Sequence, residues 1–415
     1  MAITIERRSG FSNYARLALF SITLVSGCKC GTHRVSGQSL LTTQSTSIPQ
    51  SMPTTVSIAR ISPIQSPAST LLKAHFESWR KTFLKTLPDQ SAIIIDPSQG
   101  NRAVSEGFGY GLLLSLYFND RASFDAILKG YQKNTQSRGD GLSAWLMDSK
   151  GNITSRDNAI DADIDVAWAL LEAGIKWPGS NYKTSALKII ASIGEKALVK
   201  VNGKTYLLPS SEAYDFTKGE DFILNPSYFN FLAFKEFAEV DPSHNWMGII
   251  NASYEIIDKC LAKFGFVPDW IGVNSKTGKV FELTKSYCRN NNLFSSNQRV
   301  HIFGNDAVRV LWHLSFDYKA TGESRARTAL SKILSKATPS GTEVEDAWAD
   351  KCWHNEISAA AYALIASTIS YPNYDQYVSE LKTFEKPDYY GTWEGAKNFY
   401  FNQSIVLLMH LSILK

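Results

Sequence analysis

The chain has 415 residues, 44% of them hydrophobic and 20% charged, which is the composition of a folded globular protein and excludes a largely disordered one. Its 43 Lys and Arg against 39 Asp and Glu leave a formal charge of only +4, with no dense basic run in the body of the chain, so no nucleic-acid partner is expected. The length suits two or three ordinary domains or one large repetitive one.

At the N-terminus, Arg7, Arg8 and Arg16 precede a short apolar run from Leu17 to Val25, too short to span a bilayer and suited to a secretory signal. The run ends Leu24-Val25-Ser26-Gly27-Cys28, small residues before a cysteine. This pattern resembles a bacterial lipobox, in which Cys28 becomes the lipidated N-terminus and anchors the product to a membrane; an ordinary signal peptide is the alternative. Either reading of residues 1–28 predicts export, as a periplasmic or outer-membrane lipoprotein or as a secreted protein. Residues 29–70, rich in Ser, Thr, Pro and Gln, bury too little apolar surface to offset their ordering entropy and are expected to form a tether. No apolar stretch in the body is long enough for a transmembrane helix. Apart from Cys28 and Cys30, the cysteines are Cys260, Cys288 and Cys352, widely spaced and without a CxxC pair. That spacing fits neither a zinc site nor a disulfide framework, and it leaves a single bridge open.

From about residue 71 apolar residues recur at three- and four-residue spacing. The spacing predicts helices over 71–86, 105–118, 121–136, 161–177, 181–199 and 225–240. It predicts six more over 246–264, 306–318, 324–337, 354–370, 373–385 and 399–414. Ser105, Asp120 and Asp306 stand at helix starts, and Pro226 and Pro372 near first turns, where a missing N–H costs nothing. Strand signals are confined to Ala92–Ile95, Thr205–Leu208 and the region near Val280. A dozen helices joined by elaborate loops predict an all-α toroid over residues 71–415, six inner helices ringed by six outer, with binding and catalytic residues gathered in the loops at one end. An unclosed helical array would give the same periodicity.

No metal or cofactor motif is present. His354-Asn355-Glu356 lacks the i, i+4 spacing of a helical metal pair, and the glycines of Gly107-Phe108-Gly109-Tyr110-Gly111 follow no βαβ strand. The acids carry more. Glu106 opens an apolar helix crowded with glycines, which implies close approach to its backbone. Beside aromatic rings its pKa would rise, fitting it to act as a general acid, although an acid also belongs at a helix N-terminus for electrostatic reasons alone. Asp161-Ala162-Asp163-Ile164-Asp165 runs straight into an apolar helix, without the glycine turn or Glu of a calcium loop. Asp306 opens another helix with Arg309 one turn on. The chain is also rich in rings, with 10 Trp and 18 Tyr, suited to carbohydrate clefts as well as to a helical core.

These segments, taken in order, resemble glycoside hydrolase family 8. Ser105-Glu106-Gly107 with Tyr110-Gly111 resembles the family's general-acid motif. The stretch from Ala159 to Leu170 resembles its signature region, departing at Ile160 and Val166. Asn305-Asp306-Ala307-Val308-Arg309 resembles the segment carrying the proposed base, with Asn305 where the family commonly has Tyr. Asn225-Pro226-Ser227-Tyr228, Gly265-Phe266-Val267-Pro268-Asp269-Trp270 and Asp163 with the Leu-Leu-Glu-Ala-Gly run after it are most similar to the endoglucanases that accompany bacterial cellulose synthase. The resemblance implies an (α/α)6 barrel and inverting hydrolysis of β-1,4-glucan chains, with Glu106 as acid, Asp306 as base and Asp161 holding the distorted sugar. It implies substrate contacts from Tyr110, Trp145, Asp163, Trp168, Tyr228, Trp270 and Arg309, no cofactor, and cellulose synthase machinery as a partner. Lichenan, xylan and chitosan are the alternative substrates. A glucan-binding protein weakened at the base is the alternative function.

Overall fold

The computed structural model describes residues 68–212, 221–290, 301–338, 341–342, 356–384 and 400–413. The leader with Cys28, the tether before Ala68, Cys352 and His354 lie outside these residues. In chain order the helices are α1 (Ala68–Phe83), α2 (Glu106–Tyr117), α3 (Arg121–Arg138), α4 (Ile160–Lys176), α5 (Tyr182–Ala197), α6 (Phe231–Val240) and α7 (Trp246–Phe264). They continue with the short α8 (Lys285–Asn290), α9 (Ala307–Thr321), α10 (Ser324–Leu334), α11 (Glu356–Thr368), α12 (Tyr374–Phe384) and α13 (Tyr400–Ile413). Every helix that the spacing predicted is present. The segment over 225–240 starts late, at Phe231, because Asn225 accepts the Ser227 N–H (3.0 Å) and winds Pro226–Tyr228 into a 3-10 turn; Asn230 then caps α6.

The packing closes a ring. Helices α2, α4, α6, α9, α11 and α13 each pack on the next, and α13 packs back on α2. Outside them lie α3 on α2, α5 on α4, α7 on α6, α10 on α9, α12 on α11 and α1 on α13. This is an (α/α)6 barrel. The inner helices are apolar nearly all round because they are covered on both sides: Gly107 to Tyr117 of α2, Ile160 to Ala173 of α4 and Ala307 to Asp317 of α9 are buried without a break. A buried hydrogen bond from Trp79 Nε1 to Ser404 Oγ (2.8 Å) ties the first outer helix to the last inner one.

Glycine permits the closest contacts. A Cβ on Gly109 would lie 2.7 Å from Asp165 Cβ where α2 meets α4, and one on Gly130 would lie 2.0 Å from the Ala92 carbonyl oxygen.

Connection lengths set where a site can form. The first five inner helices each lead to their outer neighbours through only two to five residues, while the return connections are long and carry the strands. Of these strands, β1 (Leu84–Thr86), β2 (Ala92–Asp96), β3 (Arg102–Val104), β4 (Leu146–Met147) and β5 (Ile153–Ser155) form one antiparallel sheet in that order. A hairpin of β6 (Leu198–Val201) and β7 (Lys204–Leu207) follows. Next, β8 (Phe222–Leu224) pairs with β9 (Ile271–Val273), which pairs with β10 (Val280–Phe281). A last pair joins β11 (Ala337–Thr338) to β12 (Gly341–Thr342). There is more strand than the sequence predicted, because runs of two to five residues are too short to show alternation. The five-stranded sheet joins the loops before α2 and α4, and the three-stranded sheet joins those before α6 and α9. The long loops therefore converge on the N-terminal ends of the inner helices.

Candidate active site

Five of these N-terminal ends supply one cluster. Glu106 is the first residue of α2 and Asp161 the second of α4. Asn225 and Tyr228 lie in the turn before α6, Asp306 precedes α9, and Tyr400 begins α13. Arg309, one turn into α9 and only 3% exposed, joins them. Its Nη1 donates to Asp161 Oδ2 (2.6 Å) and to the Tyr110 hydroxyl (3.0 Å), and its Nη2 donates to Asp306 Oδ1 (2.8 Å). Glu106 Oε2 lies 3.6 Å from Nη1. The rings of Tyr228 and Phe401 flank the guanidinium at 5.3 and 5.8 Å. Asn225 Nδ2 donates to the other Asp306 oxygen (3.0 Å), and the Tyr400 hydroxyl donates to Glu106 Oε1.

Three acids share one cation in a nearly dry site. Burial, and then the charges of Asp161, Asp306 and Asp96, push the Glu106 carboxyl up to about 8 against the pull of Arg309. Burial also raises Asp161, again opposed by Arg309. Glu106 thus holds its proton at neutral pH while 22% of its side chain stays open to the groove. Glu106 and Asp306 touch adjacent nitrogens of one planar guanidinium, so the touching oxygens lie within about 9 Å of each other. That limit is compatible with the roughly 6.5–9.5 Å that lets a water stand between an acid and a base.

Residues 49–394 match the family model described as Glycosyl hydrolases family 8. The chain belongs to this family. It is 31% identical over 280 residues to Endoglucanase C of Ruminiclostridium cellulolyticum, covering 65% of this chain and 55% of that protein. It is 26% identical over 307 residues to a beta-glucanase of Niallia circulans, covering 68% of this chain and 70% of the other. The chain spans about half the length of Endoglucanase C. Its fold superposes on a beta-1,3-1,4-glucanase from Paenibacillus sp. X4 with a TM-score of 0.69 at 22% identity, over 86% of this chain and 95% of that one. The endo-beta-1,4-glucanase CMCax from Acetobacter xylinum gives 0.62 at 19% identity, over 82% and 97%.

Within this family 8 chain the other predicted site residues separate into two groups. Trp145 and Trp270 are half-buried beside the acids. The Trp145 carbonyl accepts the Ser105 N–H (2.8 Å), and the Trp270 ring meets Tyr228 at 6.2 Å. Tyr110, Asp163, Trp168, Tyr228 and Arg309 are buried. Tyr110 and Tyr228 brace the guanidinium, one through its hydroxyl and the other through its ring. Asp163 accepts the Tyr131 hydroxyl (2.6 Å), the Ser143 N–H (2.9 Å) and the Asn158 amide (2.7 Å), so it ties loop to helix. Trp168 lies two turns down α4, where its indole N–H reaches Glu236 (2.9 Å) on α6. Sequence reasoning missed Asn225, Tyr400 and Phe401. Asn225 stood in a quoted motif and gave a signal as the last residue before a proline turn; Tyr400 and Phe401 gave none beyond helical spacing. Cys260 and Cys288 are free and buried.

Replacing Arg309 with Met should expose its importance through pH. Arg309 lowers the proton affinities of Glu106 and Asp161, so removing it raises both further, and a carboxyl raised on folding costs stability as pH climbs through its folded value. The unfolding free energy of Arg309→Met, from denaturant titrations, should fall below wild type at every pH, with the deficit widening from pH 5 to pH 8 toward about 3–5 kcal/mol. A constant deficit would mean that the cation does not hold the acids in place.

Proposed function

We propose that the chain is an inverting endo-β-1,4-glucanase, in which Glu106 protonates the glycosidic oxygen and Asp306 takes a proton from the attacking water. The observation that carries this is the pair itself. A carboxyl that keeps its proton at neutral pH and a second carboxyl whose two oxygens both accept hydrogen bonds meet across one guanidinium. Water enters on the face of the sugar opposite the leaving group, so a single displacement cleaves the bond with inversion. Asp161, oriented by Arg309, would hold the sugar at the cleavage point, and half-buried Trp145 and Trp270 would offer stacking faces. No step needs a metal or cofactor. Asn225 gives Asp306 a hydrogen-bonding neighbour although Asn305 replaces the family's usual Tyr, which favours an active enzyme over a weakened binding protein.

The substrate follows from relatives named endoglucanase and beta-glucanase, and the link to cellulose synthesis from the motifs around Asp163, Asn225 and Trp270. Among the described residues no helix is long and apolar enough to cross a membrane. We place the protein outside the cytoplasm, held to a membrane by lipid on Cys28. Mass spectrometry of the mature N-terminus should find acylated Cys28, and a free N-terminus downstream of it would leave simple secretion.

Assays of reducing ends on carboxymethylcellulose, mixed-linkage β-glucan, xylan and chitosan should show the highest rate on a β-1,4-glucan. The rate should decline as pH rises through about 8, where Glu106 loses its proton. Glu106→Gln should cut cleavage of unactivated glucan about 10²–10⁴-fold, and less for an aryl glycoside with a good leaving group. Asp306→Asn should affect both substrates alike. Equal losses in Glu106→Gln would remove it as the acid, and a wild type silent on all four polymers would sink the enzyme reading.

A further inference from the structure

The N–H groups of Ala307, Val308 and Arg309 at the start of α9 all find partners, and none of these is the Asp306 side chain. Asp306 stands at the N-cap position, with φ −73° and ψ −51°, yet its side chain makes no cap hydrogen bond. An aspartate that accepts the N–H of the second or third helical residue has a non-helical backbone, and Asp306 is helical. Asp120 caps α3, Asn230 caps α6 and Asn245 caps α7, each with its own side chain, whereas Ser105 before α2, helical like Asp306, makes no cap bond either. At α9 the backbone takes two of the donors, Val308 N–H to the Gly304 carbonyl (3.2 Å) and Arg309 N–H to the Asp306 carbonyl (3.0 Å). The Ala307 N–H goes to a residue far away in sequence, Asp269 Oδ1, at 2.7 Å, and the same oxygen accepts the Gly304 N–H at 2.9 Å. The Asp269 N–H in turn donates to the Ile302 carbonyl (2.7 Å), so three bonds pin the segment leading into α9 to this one residue. Space is reserved for it as well, since a Cβ on Gly304 would lie 2.5 Å from Asp269 Oδ2.

We infer that Asp269 is the positioning residue for Asp306: by holding the Gly304 and Ala307 N–H groups on either side of it, Asp269 fixes the backbone from which the Asp306 carboxyl faces Arg309, Asn225 and the groove. The inference rests on the proposed role of Asp306 as base. Without that anchor the segment is free to shift and to carry the carboxyl away from the water that it must activate. Sheet pairing delivers the device. Strands β8 and β9 are paired, Asn225 follows β8 and Asp269 lies just ahead of β9, so one small sheet brings both partners to Asp306. Asparagine keeps the shape of Asp269 and the oxygen that accepts both N–H groups.

The test compares Asp269→Ala, which removes the acceptor, with Asp269→Asn, which keeps it. On a soluble β-glucan, Asp269→Ala should lower kcat about 10²-fold, the scale of a small misplacement of a reacting group, with KM little changed. Asp269→Asn should stay within a few-fold of wild type. In an Asp306→Ala chain rescued by azide there is no base to position, so adding Asp269→Ala should leave the rescued rate unchanged. An equal fall in that background would show a general structural role and overturn the inference. A crystal structure of Asp269→Ala decides independently of activity. The segment from Ile302 to Asp306 should shift, and the Asp306 carboxyl should lose its bonds to Arg309 and Asn225. An Asp306 that stays in place, or a chain that cannot fold without Asp269, contradicts the inference. A wild type inactive on β-glucans would instead defeat the functional proposal, with this structural outcome still readable.

Discussion

The guanidinium of Arg309 is the interaction on which the rest of the site depends. It is a cation 3% exposed, in contact with Asp161 and Asp306 and close to Glu106. Without it, three acids at neighbouring helix ends would repel with no cation between them. One cation cannot satisfy three carboxylates, and the compromise is visible in Glu106, whose proton is retained. The chemistry needs that inequality. A pair of carboxyl groups with the same proton affinity would make neither a good donor nor a good acceptor for a single displacement. Arg309 is fixed in turn by the Tyr110 hydroxyl and by the rings of Tyr228 and Phe401, so its orientation is set by three different helices or turns.

The barrel explains why the acids can stand so close. Short inner-to-outer connections leave the long loops at the N-terminal ends of the inner helices, where unsatisfied N–H groups and the helix dipole favour negative charge. Glu106, Asp161 and Asp306 each occupy such an end. Close approach of α2 to α4 through Gly109 brings the first two together, and the β8–β9 pairing brings Asn225 and Asp269 to the third. The site is thus a product of topology before it is a product of individual side chains.

Much of this was legible in the sequence. Twelve helices could be placed because inner and outer ones alike carry apolar residues at helical spacing, and the crowding of glycine after Glu106 foretold the tight α2 packing. The three acids and Arg309 could be named from their motifs. The direction of each side chain could not. Asp163 lies two residues from Asp161, but on a helix that rotation points it away from the groove and toward Tyr131 and Asn158. Trp168 belongs to the same helix, and its buried ring reaches Glu236 through the indole N–H. The partners of Glu106 and Asp306 come from Tyr400 and Asn225, which lie 294 and 81 residues away, and no local pattern announces contacts of that range.

The central claim is that Glu106 and Asp306 cleave a β-glucan in one displacement, and the stereochemistry of the product reads it directly. Proton NMR can follow the anomeric signals in the first moments after enzyme is added to a soluble β-1,4-glucan, before the new reducing ends equilibrate. Inversion requires the α-anomer to appear first and the β-anomer to grow in only as mutarotation proceeds. A first-formed β-anomer would mean a covalent intermediate and two displacements, and it would contradict the roles given to both carboxyl groups.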